Sequence, residues 1–163
     1  MKFEKELSRV YKHRALVWLR TVKRCGFICT EFGQFNADCF GVSEARSIEV
    51  EIKTSWADFR NDFKKAYKHA TYKKDWSLGH NYHVPMYFYF AVPSDIVDKC
   101  GKHLIARAKS DGGKNHYGLI DADSWAVKMR ARKLHDNTPP TKLKFQMALR
   151  MGSELLRFHE ALL

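Results

Sequence analysis

The sequence predicts an α/β fold in which a mixed sheet lies between two layers of helices. Residues 36–53 alternate between apolar and polar side chains on both sides of a short polar turn, which indicates an antiparallel hairpin. A helical pattern then leads to Met86–Val92, an apolar run without alternation that is typical of a strand covered on both faces. A hairpin followed by a helix and a further strand predicts a βαβ crossover with parallel pairing.

The composition indicates a single domain, residues 1–163, with an anionic partner. Hydrophobic residues make up 45% of the chain, which excludes a disordered protein. Lys and Arg total 29 against 18 Asp and Glu, and the net charge of +11 favours nucleic acid over the rival, an anionic membrane surface. The longest apolar run, Val84–Val92, is about half the length of a spanning helix. The N-terminus lacks the apolar segment of a signal peptide, so we expect a cytoplasmic protein without a membrane partner.

The elements before the central strand follow from periodicity and from capping residues. Residues 3–23 have helical spacing and end before Gly26, and residues 27–32 have the composition of a strand. Ser55 followed by Asp58 resembles a capping box and predicts a helix start. The apolar residues of that helix, expected to face the core, are Trp56, Phe59, Phe63, Tyr67 and Ala70.

The elements after the central strand are shorter, except for the last. Ser94 is predicted to cap a short helix, residues 95–100, that Gly101 ends. A small hairpin pairs residues 117–120 with 125–129, and Asp121 and Asp123 are turn formers. Residues 142–163 regain helical spacing and are expected to pack against the sheet through Met147, Met151, Leu155, Phe158 and Leu162.

The cysteines and loop histidines are interpreted as structural. Four cysteines in a chain without an export signal favour free, buried thiols over disulfides. Cys25 and Cys29 have the spacing of half a zinc site but lack a matching second pair, so structural zinc is the minor alternative. His80 and His83, in the loop 73–85, are interpreted as surface or loop-packing residues rather than metal ligands.

The first hairpin carries the candidate site. A turn centred between Glu44 and Ala45 places Asp38 directly opposite Glu51. Lys53 follows on the same face as Glu51. On the other face, Ile48, Val50 and Ile52 can enter the core. Two carboxylates and one ammonium group therefore converge on one face of the sheet.

This combination suits the hydrolysis of a phosphodiester with Mg²⁺ or Mn²⁺. Hard cations take carboxylate oxygens and leave positions open for water and a substrate phosphate, so Asp38 and Glu51 are the candidate ligands. The ammonium group of Lys53 can orient or help deprotonate the attacking water and offset developing charge. The alternative is a solvated sheet face with a cross-strand pairing of Glu and Lys.

The helix that follows the hairpin carries a basic flank. Its residues are Arg60, Lys64, Lys65 and Lys68. Because this flank begins next to the carboxylates, we predict that it contacts the phosphate backbone of DNA. A solvated charged face is the alternative.

With this order of elements and these residues, the sequence resembles the PD-(D/E)XK nuclease superfamily, whose fold is restriction-endonuclease-like. Within it, the chain looks most like the MmcB-like DNA-repair proteins and related phage-type nucleases. The resemblance covers roughly residues 27–125. It depends on Ala37-Asp38, Val50–Lys53, Ala57–Asp62, Phe88–Pro93 and Gly118–Ile120.

The resemblance implies roles for individual residues. Asp38, Glu51 and the main-chain carbonyl of Ile52 would bind the metal, and Lys53 would act on the water. Many members add a glutamate from the first helix, for which Glu6 is chosen over Glu4. One further acid on the Glu51 face, Glu49, is either a third acid of the site or solvated.

Three functions follow as hypotheses. The first is a metal-dependent nuclease that hydrolyses DNA in repair, recombination or phage DNA metabolism. The second is a DNA-binding module on a nuclease-like fold that does not cut. The third is a basic protein that docks on a protein or membrane, which explains the charge but not the convergence of the two acids and the lysine. Both a monomer and a homodimer are compatible with the sequence.

Overall fold

The computed structural model describes residues 2–74, 81–113 and 115–162, with the backbone alone for residues 2 and 3. The helices are α1 (Lys2–Thr21), α2 (Trp56–Asp62), α3 (Ala66–Tyr72), α4 (Val97–Ser110) and α5 (Thr141–Glu160). The strands are β1 (Phe27–Phe32), β2 (Ala37–Val42), β3 (Ser47–Ile52), β4 (Tyr87–Val92), β5 (Gly118–Asp121) and β6 (Ala126–Met129). A 3₁₀ turn, Ser94–Ile96, precedes α4.

The described strands form one mixed sheet in chain order, β1 to β6. β1, β2 and β3 are antiparallel neighbours, whereas β3, β4 and β5 run parallel, and β6 returns antiparallel to β5. The predicted α/β class, the hairpin and the parallel pairing across the helical connection are confirmed. Parallel pairing brings the ends of β3, β4 and β5 and the start of β2 to one edge of the sheet.

Helices flank both faces of the sheet. Helix α1 covers the face that carries Ile48, Val50 and Ile52, packing Tyr11, Ala15, Trp18 and Leu19 on it. The other face is covered by α2, α3 and α4 over β4 and β5, and by α5 over β1 and β2. The candidate acids lie on this second face, beneath helices rather than in open solvent.

The helix predicted after the hairpin begins as expected but is broken in two. Ser55 caps α2 by accepting a hydrogen bond from the backbone N–H of Asp58 at 3.2 Å. The chain then leaves the helix at Phe63–Lys65 before α3 starts. The break changes the phase of the helix, so Tyr67 and Ala70 are exposed, contrary to the prediction. The residues that α3 buries are Lys68, His69, Thr71 and Tyr72.

Helix α4 is longer than predicted because Gly101 does not end it. The spacing of Val97, Cys100 and Leu104 buries one side of α4, and that packing carries the helix on to Ser110. A methyl group on Gly101 would stand 3.4 Å from the sulfur of Met129, so the glycine lets the helix approach β6. The small hairpin and its turn are as predicted, with the Asp121 carboxylate accepting hydrogen bonds from the N–H groups of Asp123 and Ser124.

Helix α5 packs on the sheet from Leu143 to Glu154, with Met151 partly buried, and leaves its last turns exposed. Leu143 and Met147 are buried against β1 and β2, whereas Leu155, Phe158 and Leu162 are exposed, contrary to the prediction. A helix of 20 residues is about 30 Å long, while a six-residue strand spans only about 20 Å, so the end of α5 extends beyond the strand. The Glu154 carboxylate accepts a hydrogen bond from the N–H of Thr30 at 3.0 Å and so covers part of the sheet's edge.

The four cysteines are free and buried, as predicted. His83 packs beside the rings of Phe32 and Tyr82, which fits a loop-packing role, and His80 lies outside the described residues. Across the described ranges, no helix is both long and apolar enough to cross a membrane.

Candidate functional site: a buried charge network at the hairpin

Asp38 and Glu51 come together because of the register of β2 and β3. Cys39 pairs with Val50, and the same register carried one residue further places Asp38 across from Glu51. Directly opposite residues of an antiparallel pair point to the same face. The register predicted from the sequence is therefore the register of the structure.

The Glu51 carboxylate is surrounded by ammonium groups. Its Oε1 lies 2.9 Å from Lys53 Nζ and 3.2 Å from Lys65 Nζ, and its Oε2 lies 3.1 Å from Lys68 Nζ. Only 3% of Glu51 is exposed. Burial by itself would raise the pKa of Glu51, but Lys68 and Lys53 outweigh it and hold that pKa below its usual value.

The Asp38 carboxylate is more exposed than that of Glu51 and is bound by different groups. Its Oδ2 accepts a hydrogen bond from the N–H of Ile52 at 2.9 Å, and its Oδ1 lies 2.9 Å from Lys12 Nζ on α1. Its side chain keeps 23% of its surface exposed. Burial and the neighbouring Glu51 charge raise the pKa of Asp38 despite these contacts. Asp38 is thus the acid through which the site reaches solvent.

Glu49 is part of the site rather than a solvated residue. It is fully buried and accepts a hydrogen bond from the hydroxyl of Tyr72 at 2.6 Å. Its second oxygen lies 2.8 Å from Lys68 Nζ, so one buried lysine bridges Glu49 and Glu51. Burial raises the pKa of Glu49, and Lys68 opposes that rise.

Asp62, at the end of α2, provides a third buried carboxylate. It lies 3.0 Å from Lys53 Nζ and 2.8 Å from Lys65 Nζ. His69 Nε2 lies 3.1 Å from the other oxygen of Asp62, and His69 Nδ1 lies 2.9 Å from the hydroxyl of Tyr117. Burial disfavours the charged carboxylate, but His69 and Lys53 outweigh burial and hold the pKa of Asp62 well below its usual value. Asp62 and Glu51 therefore both hold the Lys53 ammonium group.

We call these six groups the charge network. Its carboxylates are Glu49, Glu51 and Asp62, and its ammonium groups are Lys53, Lys65 and Lys68. The three negative and three positive charges balance, which is the condition under which charges are tolerated in a protein interior. Lys65, with 51% of its side chain exposed, is the member that can most easily leave.

Of the predicted DNA-binding residues, some are exposed as their role requires and one is buried. Lys68 is only 3% exposed and is bound to two carboxylates, so it cannot take the phosphate-binding role predicted for it. Arg60 and Lys64 are exposed, as that role requires, and Lys65 is divided between solvent and the charge network. Glu6 is exposed near the start of α1, and its predicted role as a further metal ligand stays a prediction.

Asp62, His69 and Tyr72 belong to the site but are not among the site residues that the sequence predicts. One signal was available, because Lys65, Lys68 and Tyr72 have the i, i+3, i+7 spacing of a single helix face. The sequence predicts that the lysines of this face contact DNA, with a solvated face as the alternative, whereas the break between α2 and α3 leaves Lys68 and Tyr72 buried. Nothing in the sequence indicates that Lys12 contacts Asp38, since only the packing of α1 brings the two side chains together.

The donor set of the site fits Mg²⁺ or Mn²⁺ in number and chemistry. Mg²⁺ commonly binds to one or two carboxylates and takes its other ligands from water and substrate phosphates. Asp38 and Glu51 supply two carboxylates on one face, although no cluster of three or more acidic, histidine or cysteine side chains suited to a metal occurs among the described residues. Lys65 Nζ contacts Glu51 Oε1 and would have to move away for a cation to bind to that oxygen.

Comparison with known proteins leaves the family of this chain undefined. No protein-family model matches it, and no curated protein does. Among solved structures, the chain is similar to a protein of unknown function from Silicibacter pomeroyi, with 19% sequence identity and a TM-score of 0.49. The similarity covers 88% of this chain and 86% of that protein.

Proposed function

We propose that this protein is a metal-dependent nuclease that hydrolyses DNA phosphodiester bonds, with its sheet and helices in a restriction-endonuclease-like arrangement. The observation that carries the proposal is the convergence of Asp38, Glu51 and Lys53 at one edge of the sheet, with Lys53 Nζ 2.9 Å from Glu51 Oε1. The net charge of +11 supports a polyanionic substrate.

Each residue has a separate task in this proposal. Asp38, Glu51 and the main-chain carbonyl of Ile52 would hold Mg²⁺ or Mn²⁺, which when bound polarises the phosphate and acidifies water. Burial would lower the pKa of Lys53, but Glu51 and Asp62 outweigh it and raise that pKa above its usual value. Lys53 is thereby held as an ammonium group, which suits orienting water and offsetting negative charge better than accepting a proton. Asp62 keeps this ammonium group in place.

A non-cleaving DNA-binding module is the second candidate, and one specific observation favours it. Both oxygens of Glu51 are already bound by lysines, and the charge network is balanced without an added cation. A protein that holds DNA without cutting it needs no more than this network and a basic surface. Incubation with linear duplex, circular single-stranded and branched DNA, with Mg²⁺, Mn²⁺ or a chelator, separates the two functions.

Cation binding should depend on Asp38 and be opposed by Lys65. We expect Asp38→Asn to weaken Mn²⁺ binding by about tenfold or more because it removes one of two charged ligands. Lys65→Ala should strengthen Mn²⁺ binding because it removes one of the two ammonium groups that contact Glu51 Oε1 and leaves only Lys53 there. Titration calorimetry without DNA measures both effects, and Lys64→Ala, an exposed neighbour, is the control. Equal Mn²⁺ affinity in all four proteins would refute this metal site.

Affinity for DNA should fall steeply with salt, since Lys and Arg contacts release condensed counterions. In the double variant Arg60→Glu with Lys64→Glu, we expect the slope of log K against log salt concentration to become less steep by about two. Fluorescence anisotropy of a labelled duplex between about 50 and 200 mM salt measures this slope. Arg46→Glu, in the β2–β3 turn at the other edge of the sheet, should leave it nearly unchanged. Binding that is indifferent to salt would point to a protein partner.

A further inference from the structure

Helix α5 carries a row of exposed apolar side chains that nothing in the described chain covers. Phe145, Leu149 and Leu156 are 63%, 58% and 65% exposed. Together with Gly152 they recur at intervals of four, three and four residues, which places them on one face of the helix. This face, the α5 stripe, lies opposite the buried residues Leu143 and Met147.

The stripe complements itself in an antiparallel pair of helices. With a two-fold axis between positions 150 and 151, Phe145 of one copy faces Leu156 of the other. Leu149 of one copy then faces Gly152 of the other. A methyl group on Gly152 would meet no atom within 4 Å, so the space beside this glycine is open to a partner's leucine.

Charge complementarity supports a second copy as the occupant. Lys142 and Glu160 are exposed and lie near opposite ends of α5. Their separation of eighteen residues corresponds to about five helical turns, so both lie along one line of the helix. In the antiparallel pair, each Lys142 meets Glu160 of the other copy, at both ends. Lys142 Nζ also lies 5.8 Å from the centre of the Tyr82 ring, a loose contact that leaves the ammonium group available.

We propose that the protein forms a homodimer through antiparallel pairing of the α5 stripe. The apolar residues supply the association and the two Lys142–Glu160 pairs set the antiparallel orientation. The proposal is independent of the proposed nuclease function, since α5 lies over β1 and β2 and contributes no residue to the charge network. Each subunit carries +11, so salt should strengthen the dimer by screening their repulsion, the opposite of its effect on DNA binding.

Sedimentation equilibrium of the full chain tests the proposal. Wild-type protein should form a dimer whose association constant rises with salt, and Leu149→Glu should lower that constant by about 30-fold or more. Ile105→Glu is the matched control, since it places the same charge at an exposed apolar position of α4 and should leave the dimer intact. Circular dichroism checks that both variants are folded.

Charge reversal tests whether the partner that covers the α5 stripe is a second copy of this chain. Lys142→Glu and Glu160→Lys should each weaken the dimer, and the double variant should restore it, because the pairs re-form with opposite sign. A monomeric wild-type protein at all concentrations and salt levels would overturn the proposal. So would a dimer that Leu149→Glu leaves unchanged, a double variant weaker than both single variants, or a monomer whose stripe instead binds phospholipid vesicles.

Discussion

Replacing Lys53 with alanine is expected to lower the rate of DNA cleavage by about 10²- to 10⁴-fold, with little change in DNA affinity. The loss should fall on the rate because the Lys53 ammonium group is held between Glu51 and Asp62, where it offsets charge that develops during the reaction. DNA affinity should change little because Lys53→Ala removes only one of many positive charges that can neutralise phosphates. Single-turnover cleavage and anisotropy, measured on the same DNA, give the two quantities.

Two further variants separate the possible causes of that loss. Glu51→Gln should also abolish cleavage, but it should in addition weaken the binding of Mn²⁺, because it removes a charged ligand. Arg46→Ala removes one exposed charge from the turn between β2 and β3, away from the site, so it should cut at nearly the parental rate. A Lys53→Ala protein that cuts at the parental rate would show that Lys53 has no catalytic role. A parent that cuts no form of DNA with any divalent metal, yet binds with a steep salt slope, would leave the binding module as the function.

Replacing Lys68 with methionine should lower the free energy of unfolding by about 3–5 kcal/mol. Lys68 lies within 2.8 Å of Glu49 and 3.1 Å of Glu51, and its removal leaves buried carboxylates without their shared counter-ion. Lys64→Met is the matched control, since the Lys64 side chain is exposed in the break between α2 and α3; a change within about 0.5 kcal/mol is expected. Urea denaturation measures both. Equal, small effects in the two variants would mean that Lys68 does not compensate these acids.

The stability lost in Lys68→Met should be partly regained as the pH is lowered. Burial already raises the pKa of Glu49, and Lys68 is the largest opposing influence, so its removal should raise that pKa further. A carboxyl group with a higher pKa in the folded state binds more protons there than in the unfolded state, so stability falls as pH rises. The difference in unfolding free energy between wild type and variant should therefore shrink from about pH 7 towards about pH 5. A difference that is constant or grows would exclude Glu49 as the uncompensated group.

The sequence was sufficient to predict the local pairing that positions Asp38 and Glu51. Strand period and turn position depend on neighbouring residues, so the alternation on both sides of Glu44 and Ala45 determined the register in which Cys39 pairs with Val50. The same is true of the cap at Ser55. These features are specified within about 20 residues of chain, where side-chain pattern and backbone geometry are directly linked.

Only the tertiary structure decided which charges share the buried space around Glu51. Lys68 has the same local pattern as an exposed lysine on a solvated helix, and only the break after α2 turns it toward the sheet. Likewise, the contact of Lys12 with Asp38 and the position of Asp62 beside Lys53 depend on how separate helices pack. The energy of a buried charge depends on every neighbour within a few ångströms, and those neighbours come from distant parts of the chain.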